Sequence, residues 1–237
     1  MKFSVPILLA ATLALGFAAS DVTVAAFSSM TPGATVDGFE TLSLGDADET
    51  AYALVDDAGS TVVKAEASNS ASGLIRRITI DPADTPVLSW RWKVDNVLEK
   101  GNVRRKSGDD YPARIYVTFD FDPSDLGFGD RIKYRALKLL GYDDIPVRAI
   151  NYIWANNADE TDIVPNPYTD WVQMIPVQSG ADGLGTWKDQ SRNVLDDYRR
   201  AFGEEPPPIN GIAIMTDADN TGESATAYYG DITMSAR

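Results

Sequence analysis

The sequence predicts an all-β protein, an antiparallel jelly-roll-like β-sandwich with two short inserted helices. The first observation is the alternation of apolar and polar residues in residues 87–94 and 114–121, which is typical of strands with one buried face. The second is the number of such segments, since eight or more short strands follow one another along the chain. No low-complexity linker divides them, so a single sandwich domain over residues 21–237 is expected.

The two alternating segments divide their side chains between a core face and a polar face. The apolar residues expected in the core are Leu88, Trp90, Trp92, Val94, Ile115, Val117, Phe119 and Phe121. The polar residues expected on the opposite face include Arg91, Lys93, Arg114 and Tyr116. We interpret the two segments as presenting one hydrophobic sheet face backed by one functional face.

A hairpin closes the chain, with strands over residues 210–216 and 225–235. Alternation predicts that its core residues are Ile212, Ile214, Tyr228, Ile232 and Met234. The residues expected on the other side are Ala213, Met215, Tyr229, Asp231 and Thr233.

Two segments have helical periodicity. Residues 130–140 carry a stripe of apolar residues, with Asp130 as the expected N-cap and Gly141 at the end. The residues of that stripe are Ile132, Ala136, Leu139 and Leu140. Residues 188–202 carry a second stripe, and Gly203 is placed to end that helix.

The N-terminus resembles a secretory signal peptide. Lys2 precedes an apolar run over residues 5–17, and small residues follow up to Ser20, after which we place cleavage. A second possible cleavage position follows Ala26. The apolar run is short for a membrane span, and no other membrane segment is expected. The mature protein is therefore predicted to be periplasmic or secreted, without a transmembrane anchor.

Composition excludes several functions. The formal net charge is -14, and it becomes -15 without Lys2, which disfavours nucleic acid as a partner. The local exception is a group of cations at Lys100, Arg104, Arg105 and Lys106. The chain has no cysteine and no histidine, so thiol chemistry, a Ser-His-Asp triad and histidine-ligated zinc are impossible. Carboxylate, tyrosine, lysine and arginine chemistry remains, together with calcium held by oxygen ligands.

The loop of the closing hairpin is a candidate calcium site. Asp217, Asp219 and Asn220 provide oxygen atoms at close spacing, and Gly222 follows at the sixth position. An EF-hand would need a glutamate where this chain has Tyr228. The alternative is a hairpin loop in which these side chains cap their own turn.

The polar sheet face is a candidate ligand-binding surface. Its expected members are Arg91, Lys93, Arg114 and Tyr116, joined by Asn151, Tyr229 and Asp231 where their strands adjoin it. Sugar recognition uses aromatic faces and planar hydrogen-bonding groups, which these residue types supply. The alternative is a solvated sheet face with cross-strand ion pairs.

An enzyme is the second functional hypothesis, namely a histidine-free polysaccharide lyase or hydrolase. A tyrosine beside a guanidinium can abstract a proton, which would require Tyr116 or Tyr168 to meet Arg114 or Arg192. The adjacent Asp109 and Asp110 make a poor acid–base pair, because neighbouring side chains diverge in extended chain. A structural envelope protein without a small ligand is the third hypothesis.

Several motifs carry a family resemblance that covers residues from about 54 to the C-terminus. They are LSWRWKV at 88–94, GDDYPARIYV at 108–117, NYIWAN at 151–156, RNV at 192–194, DY at 197–198, GIAIMTDADNTG at 211–222 and AYYGDI at 227–232. The chain thereby resembles the uncharacterised bacterial family known as domain of unknown function 3047. The resemblance implies an exported single domain and no catalytic assignment. The closing YGDI also resembles the last strands of galactose-binding-like jelly rolls, which often bind sugars. The leading hypothesis is therefore non-catalytic binding of a polysaccharide or cell-envelope glycan.

Overall fold

The structure is a computed structural model that describes residues 21–139 and 146–237. The predicted signal peptide, residues 1–20, lies outside the described residues, as do Leu140 and Gly141. The described chain forms two β-sheets packed face to face, which confirms the predicted β-sandwich. No helix in residues 21–139 and 146–237 is long and apolar enough to cross a membrane.

The chain passes repeatedly between the two sheets. The described strands are β1 (Val22–Ala25), β2 (Glu40–Ser43), β3 (Ala51–Asp57), β4 (Ser60–Ser68), β5 (Ala71–Ile80), β6 (Val87–Val94), β7 (Arg114–Phe119), β8 (Ala149–Ala155), β9 (Val164–Asn166), β10 (Thr169–Ser179), β11 (Lys188–Asn193), β12 (Ile209–Asp217) and β13 (Ser224–Ser235). We call the sheet of order β11-β6-β13-β4-β3, with β1 beside β13, the back sheet. The front sheet has the order β2-β5-β12-β7-β8-β10-β9, so that β7 to β10 follow one another along the chain in this sheet, as β3 and β4 do in the back sheet. Its β8 and β10 are parallel, whereas the other described pairs are antiparallel.

Strands β6 and β7 belong to different sheets, so the single polar face predicted for them is wrong. β6 lies between β11 and β13 in the back sheet, and β7 lies between β12 and β8 in the front sheet. The loop of residues 95–113 carries the chain from one sheet to the other. Both strands direct their apolar side chains into the shared core, so their polar side chains point to opposite sides of the sandwich.

The core between the sheets is rich in aromatic residues. Trp90 and Trp92 of β6 pack against Tyr152 and Trp154 of β8, with ring centroids 5.3 and 6.1 Å apart respectively. These tryptophans are buried, as the alternation predicts. The expected orientation of Tyr228 and Tyr229 is wrong, because a register shift between Tyr229 and Ile232 turns Tyr229 into the core and leaves Tyr228 outside.

Two α-helices occur in the described residues, α1 (Phe128–Leu139) and α2 (Val194–Phe202). Asp130 lies in the first turn of α1 and not at its N-cap. Helix α2 begins later than predicted, because residues 188–193 pair with β6 as the edge strand β11. Asn193 caps α2 through its side chain, and Gly203 ends it in the left-handed conformation with φ of 73°.

Candidate functional site

A cleft of about 710 Å³ lies on the outer face of the front sheet. Arg114, Tyr116 and Thr118 alternate along β7 and form part of its floor. Their cross-strand neighbours on β12 are Met215, Ala213 and Gly211 in the same order. The small side chain of Ala213 beside Tyr116 leaves room above the sheet, whereas Thr118 and Ile75 fill the space over Gly211.

Several segments of the chain wall this cleft, including the following three. One is the loop before β7, which contributes Lys106 and Asp109. The second is α1, which contributes Lys133 and Tyr134, and the third is the turn between β9 and β10, which contributes Tyr168. Loop and helix residues thus surround a floor of regular strands, an arrangement that would hold a binding surface on a rigid base.

Arg114 occupies a buried position in the floor and forms an ion pair with Asp217. Its Nε donates to Oδ1 of Asp217 over 2.8 Å, and its Nη2 donates to Oδ2 of Asp217 and to the carbonyl oxygen of Asp109. Its Nη1 donates to the hydroxyl of Tyr116 over 3.0 Å. The donors of the guanidinium are therefore bonded to groups of the protein, and these bonds hold Tyr116, Asp217 and the backbone of Asp109 in place around the floor.

Tyr116 and Arg114 meet, as the enzyme hypothesis requires of a tyrosine and a guanidinium. Burial raises the pKa of Tyr116 to about 12, although the charge of Arg114 acts in the opposite direction. The hydroxyl is therefore protonated at neutral pH. The Tyr116 hydroxyl can therefore donate a hydrogen bond, whereas a base that abstracts a proton needs a pKa closer to neutrality.

A cluster of acidic side chains lies next to the floor. Oxygen atoms of Asp110, Asp217 and Asp219 lie within 4.8 Å of one another, and such a group could hold a metal ion. Asp110 also accepts hydrogen bonds from the backbone N–H groups of Asn220 and Thr221, so it caps the loop of the closing hairpin. Burial, followed by the charge of Asp110, raises the pKa of Asp219.

The predicted calcium residues Asp217, Asp219 and Asn220 thus come together, and the structure adds Asp110 to them. The sequence analysis considered Asp110 only as a partner of Asp109 and not as a metal ligand, because Asp110 comes from a loop far from the closing hairpin in the chain. Both oxygens of Asp217 accept bonds from Arg114. Both oxygens of Asp110 also accept bonds, from Asn220 and Thr221, so a cation at this cluster would share the carboxylates of Asp110 and Asp217 with the donors already bound to them.

Asp109 is a buried carboxylate in the wall of the cleft. Its Oδ2 accepts a hydrogen bond of 2.7 Å from the amide of Asn166. Its Oδ1 has no hydrogen-bond partner among the described residues. Burial raises the pKa of this carboxyl, which Arg114 partly offsets.

Tyr168 lies at the rim of the cleft and is 46% exposed. Its hydroxyl donates to Oδ1 of Asn220 over 2.6 Å, which fixes the ring. Nζ of Lys106 lies 5.0 Å from the ring centroid, and Nζ of Lys133 donates to the Tyr168 carbonyl oxygen over 2.8 Å. Within the described residues, neither lysine has a carboxylate within 4.0 Å. The rim therefore combines an aromatic ring with two cations.

The predicted ligand residues on the back sheet lie far from this cleft. Arg91 stacks 4.5 Å over the ring of Trp187, and Lys93 pairs with Asp57 over 2.9 Å. Asp231 accepts hydrogen bonds from the backbone and hydroxyl of Ser28. Each of these three side chains is thus in contact with another side chain or backbone group of the protein, as expected for the solvated sheet face that the sequence offers as the alternative.

The other two predicted ligand residues lie near the cleft but are buried. Asn151 pairs with Tyr116 across β7 and β8, and neither atom of its amide has a hydrogen-bond partner among the described residues. Tyr229 reaches through the core from the back sheet to the front sheet. Its hydroxyl donates to the carbonyl oxygen of Met215 over 2.6 Å and accepts from the backbone N–H of Arg114 over 3.3 Å. Arg114 and Tyr116 are therefore the predicted ligand residues that line the cleft.

Comparison with known proteins gives one family and several solved structures. A carbohydrate-binding module of family 29, the CBM29-2 mutant D83A complexed with mannohexaose, is 8% identical with a TM-score of 0.41, and the alignment covers 92% of each chain. The family 11 module of the cellulosomal cellulase Lic26A-Cel5E of Clostridium thermocellum is 11% identical with a TM-score of 0.42, covering 93% of this chain and 97% of that chain. No curated protein sequence matches. A family profile matches residues 37–233, and the chain therefore belongs to the family described as "Protein of unknown function (DUF3047)".

Proposed function

We propose that this is an exported protein, periplasmic or secreted, that binds a glycan in the cleft of the front sheet without cleaving it. The observation that carries the proposal is the half-exposed ring of Tyr168 at the rim of a cleft of about 710 Å³. A sugar stacks on an aromatic face, and its hydroxyls need donors and acceptors close by. Tyr116, Asn166 and Asn210 supply such groups along the cleft.

The two lysines beside Tyr168 point to an acidic glycan. Lys106 and Lys133 approach the tyrosine from the loop before β7 and from α1. Since the chain as a whole carries a net charge of -14, an anionic ligand needs a local cationic site to bind. A polymer containing uronic acid residues has both the ring that Tyr168 would stack on and the carboxylate that the lysines would bind.

Binding of oligogalacturonate and of a neutral cello-oligosaccharide, measured by calorimetry, tests this function. We expect Tyr168→Ala to weaken binding about tenfold, because it removes the stacking surface. We expect the double variant Lys106→Ala and Lys133→Ala to weaken binding of the acidic glycan and to leave any neutral-sugar binding unchanged. Arg91→Ala with Lys93→Ala is the matched control, because it removes two cations from the opposite sheet.

Equal loss of affinity in the control would place the ligand elsewhere and contradict the proposed cleft. Retention of affinity in Tyr168→Ala would also contradict it. The same glycan is assayed for unsaturated or reducing products. Their formation by the unchanged protein, and its loss in Tyr116→Phe, would favour the lyase or hydrolase hypothesis over binding alone.

Calcium is the metal that the acidic cluster is expected to hold, because its ligands are hard oxygen atoms. Asp110, Asp217 and Asp219 would be the ligands, and Asp219 is the one of the three that neither Arg114 nor the backbone of residues 220 and 221 engages. We expect calcium at 100-fold its Kd to raise the melting temperature by roughly 5 to 10 °C. Asp219→Asn should abolish that response. A melting temperature that is the same with calcium and with a chelator would rule the calcium site out.

A further inference from the structure

Helix α1 presents an apolar stripe to solvent. Phe128, Ile132 and Leu139 are 77%, 54% and 88% exposed. They are spaced four and seven residues apart, so they project from one side of the helix. In the described part of the chain, Tyr168 is the other large apolar residue with comparable exposure. The sequence predicts Ile132 and Leu139 as members of an apolar stripe, and the structure adds Phe128 to them. An apolar stripe on a surface helix ordinarily packs against the core.

The opposite side of α1 holds it to the domain. The ring of Tyr134 packs against Trp171 of β10, with centroids 6.1 Å apart, and Lys133 donates to the carbonyl oxygen of Tyr168. Lys133 and Tyr134 also line the cleft. Because these contacts fix the inner side of the helix, the apolar stripe faces away from both the core and the cleft.

The helix is basic in an acidic protein. Its twelve residues contain four basic side chains, Arg131, Lys133, Arg135 and Lys138, against the single acidic side chain of Asp130. Arg131 and Arg135 are exposed and flank the apolar stripe. The remainder of the chain is strongly acidic, since the net charge is -14. Such a combination of exposed apolar residues with flanking cations is typical of helices that lie in a membrane interface.

We propose that the outer face of α1 binds the surface of an anionic phospholipid bilayer. The stripe would enter the boundary between headgroups and acyl chains, while Arg131 and Arg135 contact lipid phosphates. A second copy of the chain fits this face less well, because pairing two cationic helices brings like charges together. The acidic remainder of the protein does not prevent binding, because charges further than about 8 Å from the surface are screened at about 0.15 M salt.

Flotation with vesicles of phosphatidylglycerol and with vesicles of phosphatidylcholine tests the proposal on the mature chain. We expect binding to phosphatidylglycerol that falls as salt increases. The variant with Phe128→Ser, Ile132→Ser and Leu139→Ser should bind at least about tenfold more weakly. Arg131→Glu with Arg135→Glu should bind on the order of twentyfold more weakly. All five positions are exposed, so the fold should be retained, and circular dichroism checks this.

The matched control is Arg105→Glu with Arg237→Glu, which makes the same charge change at exposed positions outside α1. It should bind like the unchanged protein. Failure of the unchanged protein to float with phosphatidylglycerol would overturn the proposal, as would undiminished binding by the triple serine variant. Sedimentation velocity is run in parallel. A dimer that the triple variant abolishes, without vesicle binding, would assign the face to self-association instead.

Discussion

Arg114→Met is expected to lower the free energy of unfolding by about 3 to 5 kcal/mol, because it leaves the buried carboxylate of Asp217 without its counter-charge. Methionine fills part of the vacated space but cannot donate a hydrogen bond. The backbone N–H of Tyr111 would remain as a donor to Asp217 over 3.0 Å. Urea unfolding followed by tryptophan fluorescence measures the loss, since Trp90 and Trp92 lie in the core.

Variants of the two side chains that bond to Arg114 test whether the loss comes from the ion pair with Asp217. Tyr116→Phe removes one hydrogen bond to Arg114 and should cost about 1 kcal/mol. Combining Arg114→Met with Asp217→Asn should restore part of the stability that Arg114→Met loses, because the second change removes the unpaired charge. Additive losses in the double variant would show that the two side chains do not act as a pair.

Asp197→Ala is expected to cost about 2 to 3 kcal/mol, because Asp197 joins α2 to both sheets. Its buried carboxylate accepts bonds from the hydroxyl of Tyr152 on β8 over 2.9 Å and from Nε of Arg192 on β11 over 2.8 Å. The tyrosine hydroxyl is buried and would lose its acceptor. Urea unfolding gives the loss, and hydrogen exchange shows whether α2 opens before the sheets do.

Asp196→Ala is the matched control, one residue away on the same helix. Asp196 is exposed and contacts Arg199 over 3.5 Å. The control should leave the unfolding midpoint nearly unchanged, because a solvent-exposed ion pair contributes little. If Asp196→Ala destabilises the protein as much as Asp197→Ala does, the loss reflects a lower stability of helix α2 and not the loss of the bonds that the Asp197 carboxylate makes to Tyr152 and Arg192.

The sandwich could be predicted because strand alternation depends only on neighbouring residues. Trp90 and Trp92 point to the core for this reason. The assignment of β6 and β7 to one sheet failed, because the partner of a strand depends on where the intervening loop of residues 95–113 leads. The prediction of a helix over residues 188–193 was wrong, because these residues pair with β6, and this tertiary contact overrides local periodicity.

The site was only partly predictable for the same reason. Lys106 and Tyr168 stand out in the sequence as a member of a cationic loop and as a candidate tyrosine, but nothing local shows that they meet. Asp110 and Asp219 come together only when the loop before β7 folds against the closing hairpin. Tyr229 was misplaced because the register shift beside it reverses the alternation of β13.

The position of Tyr229 has a mechanical consequence. Its ring belongs to the back sheet, while its hydroxyl bonds to Met215, Thr216 and Arg114 of the front sheet. The tyrosine thus links the two sheets directly beneath the floor of the cleft, and its hydrogen bonds oppose movement of the floor relative to the sheet behind it. If the cleft binds a glycan as proposed, these contacts would hold its floor in place before the ligand arrives, so little conformational entropy of the floor would be lost on binding.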